Sequence, residues 1–213
     1  MAASTTNVLE LPRLQVETIE VPIIGDSPLI VHAWSQKAKE QMAAKQQRKG
    51  AKGRDAKVPW DDFCDALYWL TEKPKKPSEA DIEAALFGFP AVGFKSAAVD
   101  AVTSVAGMTK VAARQAFHIV GEFVEISGPP PSMREDIARV GMGVADLRYR
   151  PEFNPWGAIL TVKVNTSAIS PEQVISLFDL AGFAVGIGDW RPQRNGPFGR
   201  FHVAKSNEKV PSR

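Results

Sequence analysis

The chain has 213 residues, 44% hydrophobic and 23% charged, and carries a net charge of +2. That length and balance suit one buried core with room for an insertion and exclude a wholly disordered chain. No run of about 18 apolar residues is present to cross a bilayer. The opening residues lack the regions of a secretory signal, and the single Cys64 excludes an intramolecular disulfide, so the cytoplasm of a cell is the expected setting.

Residues 1–13 read as a polar, flexible tail. Leu14 to Ile24 mixes β-branched residues in partial alternation and is expected to be a strand ending at Gly25-Asp26; a short apolar run, Pro28 to His32, follows. Ser35 is a plausible N-cap for a helix over Gln36 to Lys49, which has good helix formers but few large apolar residues. Lys37, Lys39, Lys45, Arg48, Lys49, Lys52, Arg54 and Lys57 face only Glu40 and Asp55 between residues 37 and 57, a net +6 that leaves −4 on the rest of the chain. Residues 35–58 are therefore expected to form a basic arm that orders along a phosphate backbone, with a solvated surface excursion as the alternative.

Trp60, Phe63, Cys64, Leu67 and Leu70 keep helical spacing, and Asp61 and Asp62 lie in the first turn, where acidic residues serve the helix dipole. Together with Asp65 they lack the spacing of a metal site. Ser78 to Asp81 opens a short helix, Phe87 to Phe94 reads as tight aromatic packing, and Lys95 to Val105 and Thr109 to Gln115 continue as helices. Residues 60–115 are thus expected to be a helical insertion. Phe117 to Ile126 alternates as a strand carrying His118, which reads as a structural residue. Met133 to Arg150 shows no convincing period and is expected to be loop or irregular strand, with Arg134, Arg139, Arg148 and Arg150 as a third basic site; Glu135, Asp136 and Asp146 offer internal neutralisation instead.

Trp156 to Asn165 is the clearest strand. Ser170, Pro171 and Gln173 form a capping box for a helix running to Ala181, with Gly182 as its C-terminal stop. The stretch Gly182 to Val203, GFAVGIGDWRPQRNGPFGRFHV, then gathers five glycines and three arginines around aromatic residues. Glycine lets backbone come close to a neighbour, arginine offers donor forks for phosphate, and aromatic rings offer stacking faces. A tight hairpin with solvated arginines is the competing reading. A last strand spans Phe201 to Val203, and residues 204–213 are expected to be a flexible tail.

With the insertion set aside, the order β, helix, β, β, helix, loop, β is that of an α+β, ferredoxin-like, RRM-like (βαββαβ) domain over residues 14–203. The block GFAVGIGDWRPQRNGPFGRF, with paired glycines after the second helix and a closing G-R-F, resembles the glycine-rich signature of the RAMP superfamily, to which backbone and processing subunits of CRISPR complexes belong. GDSPLIVHAWSQKAKEQM, GFPAVGFKSAAV and ADLRYRPEFNPWGA resemble uncharacterised proteins of tailed bacteriophages and prophages. The RAMP likeness implies that Gly186, Gly188, Gly196 and Gly199 shape a loop at the sheet edge. It also implies that Arg191, Arg194 and Arg200, beside Trp190 and Phe198, face a nucleic-acid backbone, and that the basic arm reaches a neighbouring copy.

The expected function is a phage nucleic-acid-binding protein of the infected bacterial cytoplasm, contacting single-stranded RNA or DNA through arm and loop and assembling as a homo-oligomer. A virion or assembly component that self-associates without nucleic acid is the first alternative, and a RAMP-like RNA endonuclease the second. The histidines His32, His118 and His202 sit in no catalytic motif, so no enzymatic activity is expected, and no cofactor, metal or membrane partner.

Overall fold

The computed structural model describes residues 13–34, 40, 42, 43, 46, 58–140 and 144–213. The eight cations of the expected arm lie outside the described residues.

A four-stranded antiparallel sheet organises the fold: β1 (Val16–Gly25), β4 (Phe117–Ile119), β8 (Gly157–Asn165) and β9 (Phe201–Val203), in the order β4-β8-β1-β9. Two helices, α3 (Ala91–Ala101) and α5 (Pro171–Ala184), pack against each other. Sequence order β1, α3, β4, β8, α5, β9 in that sheet order is the ferredoxin-like βαββαβ topology, so the chain has the α+β fold expected of it. The first crossover helix is α3, which lies inside the segment expected to be an insertion. It begins four residues earlier than its sequence suggested because Pro90 is extended, at φ −55° and ψ 126°, and the chain enters the helix directly behind it.

Strand alternation explains the core. Val21 and Ile23 of β1, Ala158, Leu160, Val162 and Val164 of β8, and Phe117 of β4 are all buried. They meet Phe94 and Ala98 of α3 and Val174, Phe178 and Ala181 of α5, with Phe117 edge-on to Phe178 at 5.7 Å. Burying one such ring stabilises the fold by roughly 1.5–3 kcal/mol. The opposite face of the sheet presents Thr18, Glu20, Ile159 and Lys163, and no Phe, Tyr or Trp. Base stacking on the sheet, the mode of an RRM, therefore has no platform here.

The expected strand Phe117 to Ile126 is divided. Gly121 turns at φ +89°, and the chain leaves β4 to form β5 (Phe123–Glu125), which pairs with β3 (Gly88–Pro90). The helix expected over Trp60 to Leu70 is shorter, α1 (Pro59–Asp65). Beyond it the Cys64 carbonyl accepts from the Trp69 indole at 2.9 Å, and Trp69 bridges to Phe87. Burial pushes the Cys64 thiol up to about 11, which fits an inert core cysteine. Ser78 and Asp81 make the expected capping box, for α2 (Glu79–Ala84), and Thr109 caps α4 (Lys110–Ala116).

The largest difference lies at Met133 to Arg150. It is a long hairpin, β6 (Ser132–Val140) with β7 (Val144–Phe153), extended by β2 (Leu29–Ile30) into a three-stranded sheet. Its pattern escaped hydrophobic reading because the positions turned inward are charged: Asp136 and Arg150 are buried, and Arg134 pairs with Asp136 and Glu152 at 2.8 and 2.7 Å. The C-terminal segment also departs from expectation. Val210 and Pro211 lie over Gly157, and the Arg213 guanidinium donates to the carbonyls of Ile82, Ala84 and Ala85 at the end of α2. Residues 204–213 thus pack against the body instead of trailing from it.

Candidate nucleic-acid interface

The glycine-rich stretch starts inside α5. The helix continues past Gly182, where a Cβ would lie 1.8 Å from the Phe201 carbonyl oxygen, so the missing side chain lets helix and β9 touch. The stop comes at Gly186, at φ +68°, whose N–H reaches back to the Ala181 carbonyl at 2.8 Å. A single 3-10 turn, Pro192–Arg194, forms the tip of the loop, and Asn195 takes the left-handed conformation behind it.

The remaining glycines bring backbone against the protein's own backbone. Ile187 N–H donates to Gly199 O at 2.9 Å, Gly199 N–H to Pro28 O at 2.8 Å, and Asp189 N–H to Ile30 O at 2.9 Å. A Cβ at Gly188 would sit 2.4 Å from Ile30 O, one at Gly196 1.7 Å from Trp190 O, and one at Gly199 1.8 Å from Ile187 O. The loop is thereby sewn to itself and to the turn between β1 and β2. Its close approaches are intramolecular, and the platform they make is rigid.

On that platform Trp190, at φ +52°, and Phe198 stack at 6.2 Å and 28°. Two guanidiniums of the β6–β7 hairpin support them, Arg150 at 5.1 Å from the Trp190 ring and Arg134 at 4.8 Å from the Phe198 ring. Of the two expectations for these arginines, a basic site for phosphate or internal neutralisation, the geometry matches the second, with Asp136 beside both. Arg150 is 2% exposed and lies 3.5 Å from Asp189 and 3.9 Å from Asp136, while the hydrogen bonds that Arg134 donates to Glu152 and Asp136 hold its pKa above its ordinary value. Their charge is spent inside the molecule. Arg148 faces Asp146 at 3.5 Å, and Arg139 stands opposite Ala145 near the hairpin end.

The loop arginines differ among themselves. Arg191 donates to Gln193 Oε1 and to the Gly188 carbonyl, so it braces the loop. Arg194 and Arg200 are exposed and make no ion pair among the described residues, and Trp190 keeps 37% of its surface open. Two exposed cations and a partly open indole on one bonded turn are suited to a sugar-phosphate chain with an unstacked base.

Sequence reading did not connect His32, Tyr68, Asp100 and Asp189 with this loop. They line a cleft of about 320 Å³ between α3 and the segment 185–193. Asp100 accepts from Lys110 at 2.7 Å and from Gln193 at 2.8 Å, and these bonds, in that order of weight, hold its pKa below the usual carboxylate value. His32 opens to solvent at the mouth, yet the protein crowding its ring lowers its pKa by desolvation; Asp189 opposes the shift and Arg150 reinforces it. The only hint of this grouping in the sequence was Asp189 beside Gly188.

No protein-family model matches the chain, and no curated protein matches it. Among solved structures it is similar to the crystal structure of Cmr6 from Pyrococcus furiosus, at 13% identity, covering 90% of this chain and 100% of that chain, with a TM-score of 0.35.

Proposed function

We propose that the chain is a non-catalytic nucleic-acid-binding protein of phage origin that holds single-stranded RNA or DNA. The observation that carries this reading is the bonded turn at 190–200, which leaves Arg194 and Arg200 exposed with no ion pair among the described residues and Trp190 37% exposed. The basic segment 37–57, net +6, supplies further phosphate contacts, and copies lie side by side along the strand. A base that rests on Trp190 needs no sequence code, so contact through loop and arm is sequence-tolerant.

Anisotropy of a labelled single-stranded oligonucleotide across salt concentrations tests this. Affinity falls by orders of magnitude between roughly 50 and 200 mM salt if several phosphates are neutralised. Replacing both Arg194 and Arg200 with Ala lowers the log–log slope by about 1.4, at about 0.7 per lost single-strand contact. A flat salt response, or an unchanged slope in the double variant, overturns the reading.

A second reading is self-assembly without nucleic acid, favoured by Phe183 on α5 and Ile137 on β6, which are 74% and 70% exposed. Light scattering on nuclease-treated protein separates the two. A defined large particle without 260 nm absorbance and without oligonucleotide affinity supports assembly alone.

A further inference from the structure

We propose that the cleft between α3 and the glycine-rich loop is a receptor for a single unstacked guanine base; this rests on the nucleic-acid reading above. The cleft's volume of about 320 Å³ lies at the small end of ligand pockets, the size of a base or nucleoside. Gly93 and Ala97 of α3 line one side and Gly186 and Gly188 the other, among the larger side chains Val92, Val185 and Ile187. Tyr68 and Phe89, edge to face at 6.0 Å and 79°, supply aromatic surface in the same cleft.

The polar groups select the base. Asp100, Gln193 and Arg191 are committed to one another and to Lys110, so they form a closed rim. Asp189 is different. Its Oδ2 lies 3.5 Å from Arg150, its backbone N–H is used by Ile30, and its Oδ1 accepts no hydrogen bond among the described residues. A carboxylate is an acceptor only, and its best planar partner offers two parallel N–H donors. Guanine presents such a pair on its Watson–Crick edge, N1–H beside the 2-amino group. Adenine and cytosine place a ring acceptor beside their amino group, which a carboxylate repels, and uracil has one N–H between two carbonyls. His32, held neutral by desolvation, carries one donor and one acceptor at the mouth and does not compete for the carboxylate as a cation would.

The test uses the full chain, titrated with GMP, AMP, CMP and UMP and followed by isothermal calorimetry. GMP is expected to bind about tenfold or more tightly than the other three, within the range of one bidentate base contact. Asp189→Asn removes the preference. Ser96→Trp, at an exposed helix position lining the cleft, blocks all binding while the unfolding temperature stays the same. Four nucleotides bound alike, none bound up to about 10 mM, or GMP still bound by the Ser96→Trp protein would each overturn the proposal. If Asp189→Asn does not fold, Ser96→Trp decides alone. Oligonucleotide binding without any preference for guanine sinks the cleft and leaves the loop reading intact, whereas GMP binding without oligonucleotide affinity does the reverse.

Discussion

Gly199→Ala isolates what the glycine-rich stretch contributes to stability. Gly199 has φ +66°, so an alanine there costs about 1–2 kcal/mol in backbone strain alone. Its Cβ would also fall 1.8 Å from the Ile187 carbonyl oxygen. Backbone cannot rotate away as a side chain can, so the strands of the loop must part. That disturbs the Ile187-to-Gly199 bond of 2.9 Å and the Gly199-to-Pro28 bond of 2.8 Å, each worth about 1 kcal/mol net. The sum is about 3–4 kcal/mol, a fall in Tm of about 6–16 °C for a chain of this size. Gly107→Ala is the control. Gly107 has φ +88° but nothing within 4 Å of its would-be Cβ, so only the strain of about 1–2 kcal/mol applies. Urea unfolding followed by tryptophan fluorescence measures both at constant m. If the two variants agree within about 0.5 kcal/mol, collision with the backbone is not what the glycine avoids.

Ser170→Ala removes the hydroxyl that accepts from Gln173 N–H and is expected to cost about 1 kcal/mol, read as a shift in urea midpoint. His202 titration is a third check. Desolvation alone would lower its pKa, but Asp26 at 2.6 Å and Glu208 at 3.2 Å outweigh it and raise the value. The folded pKa then exceeds the unfolded one, so the contribution is full below about 6.5 and is lost as pH rises through the folded value. The stability difference between the native protein and His202→Gln should shrink on raising pH from 6 to 9; a constant difference refutes the pairing. Arg213→Ala withdraws the guanidinium from the carbonyls ending α2 and is expected to speed amide exchange in residues 79–85 while leaving α5 unchanged.

The parts of the fold that obey hydrophobic periodicity or capping chemistry were legible in the sequence. β1, β8, α5 and the two capping boxes follow from alternation and from Ser-x-x-Asp or Ser-x-x-Gln spacing, and β1, β8 and α5 are three of the six elements of the ferredoxin-like order. The β6–β7 hairpin was not legible, because Arg134, Asp136 and Arg150 occupy inward positions that pattern reading reserves for apolar residues. The same fact misdirected the site: an arginine-rich segment reads as a surface for phosphate until its carboxylate partners, up to 39 positions distant for Arg150 and Asp189, are brought beside it. The role of α3 was hidden for another reason. Its alanines mark a helix but not which layer it joins, and only contact with α5 settles that. The cleft is assembled from four separate stretches of chain, and no local pattern encodes it.

Placing Arg150 and Arg134 beneath Trp190 and Phe198 has an optical consequence. Trp156 is sealed in the core and Trp190 is partly open, so the two indoles sit in different polarities. The ring of Trp190 lies on a cation carried by the hairpin, and any tilt of that hairpin changes the field across the indole. With the other four tryptophans replaced by Phe, Trp190 would serve as an internal fluorescent gauge of the relation between hairpin and loop.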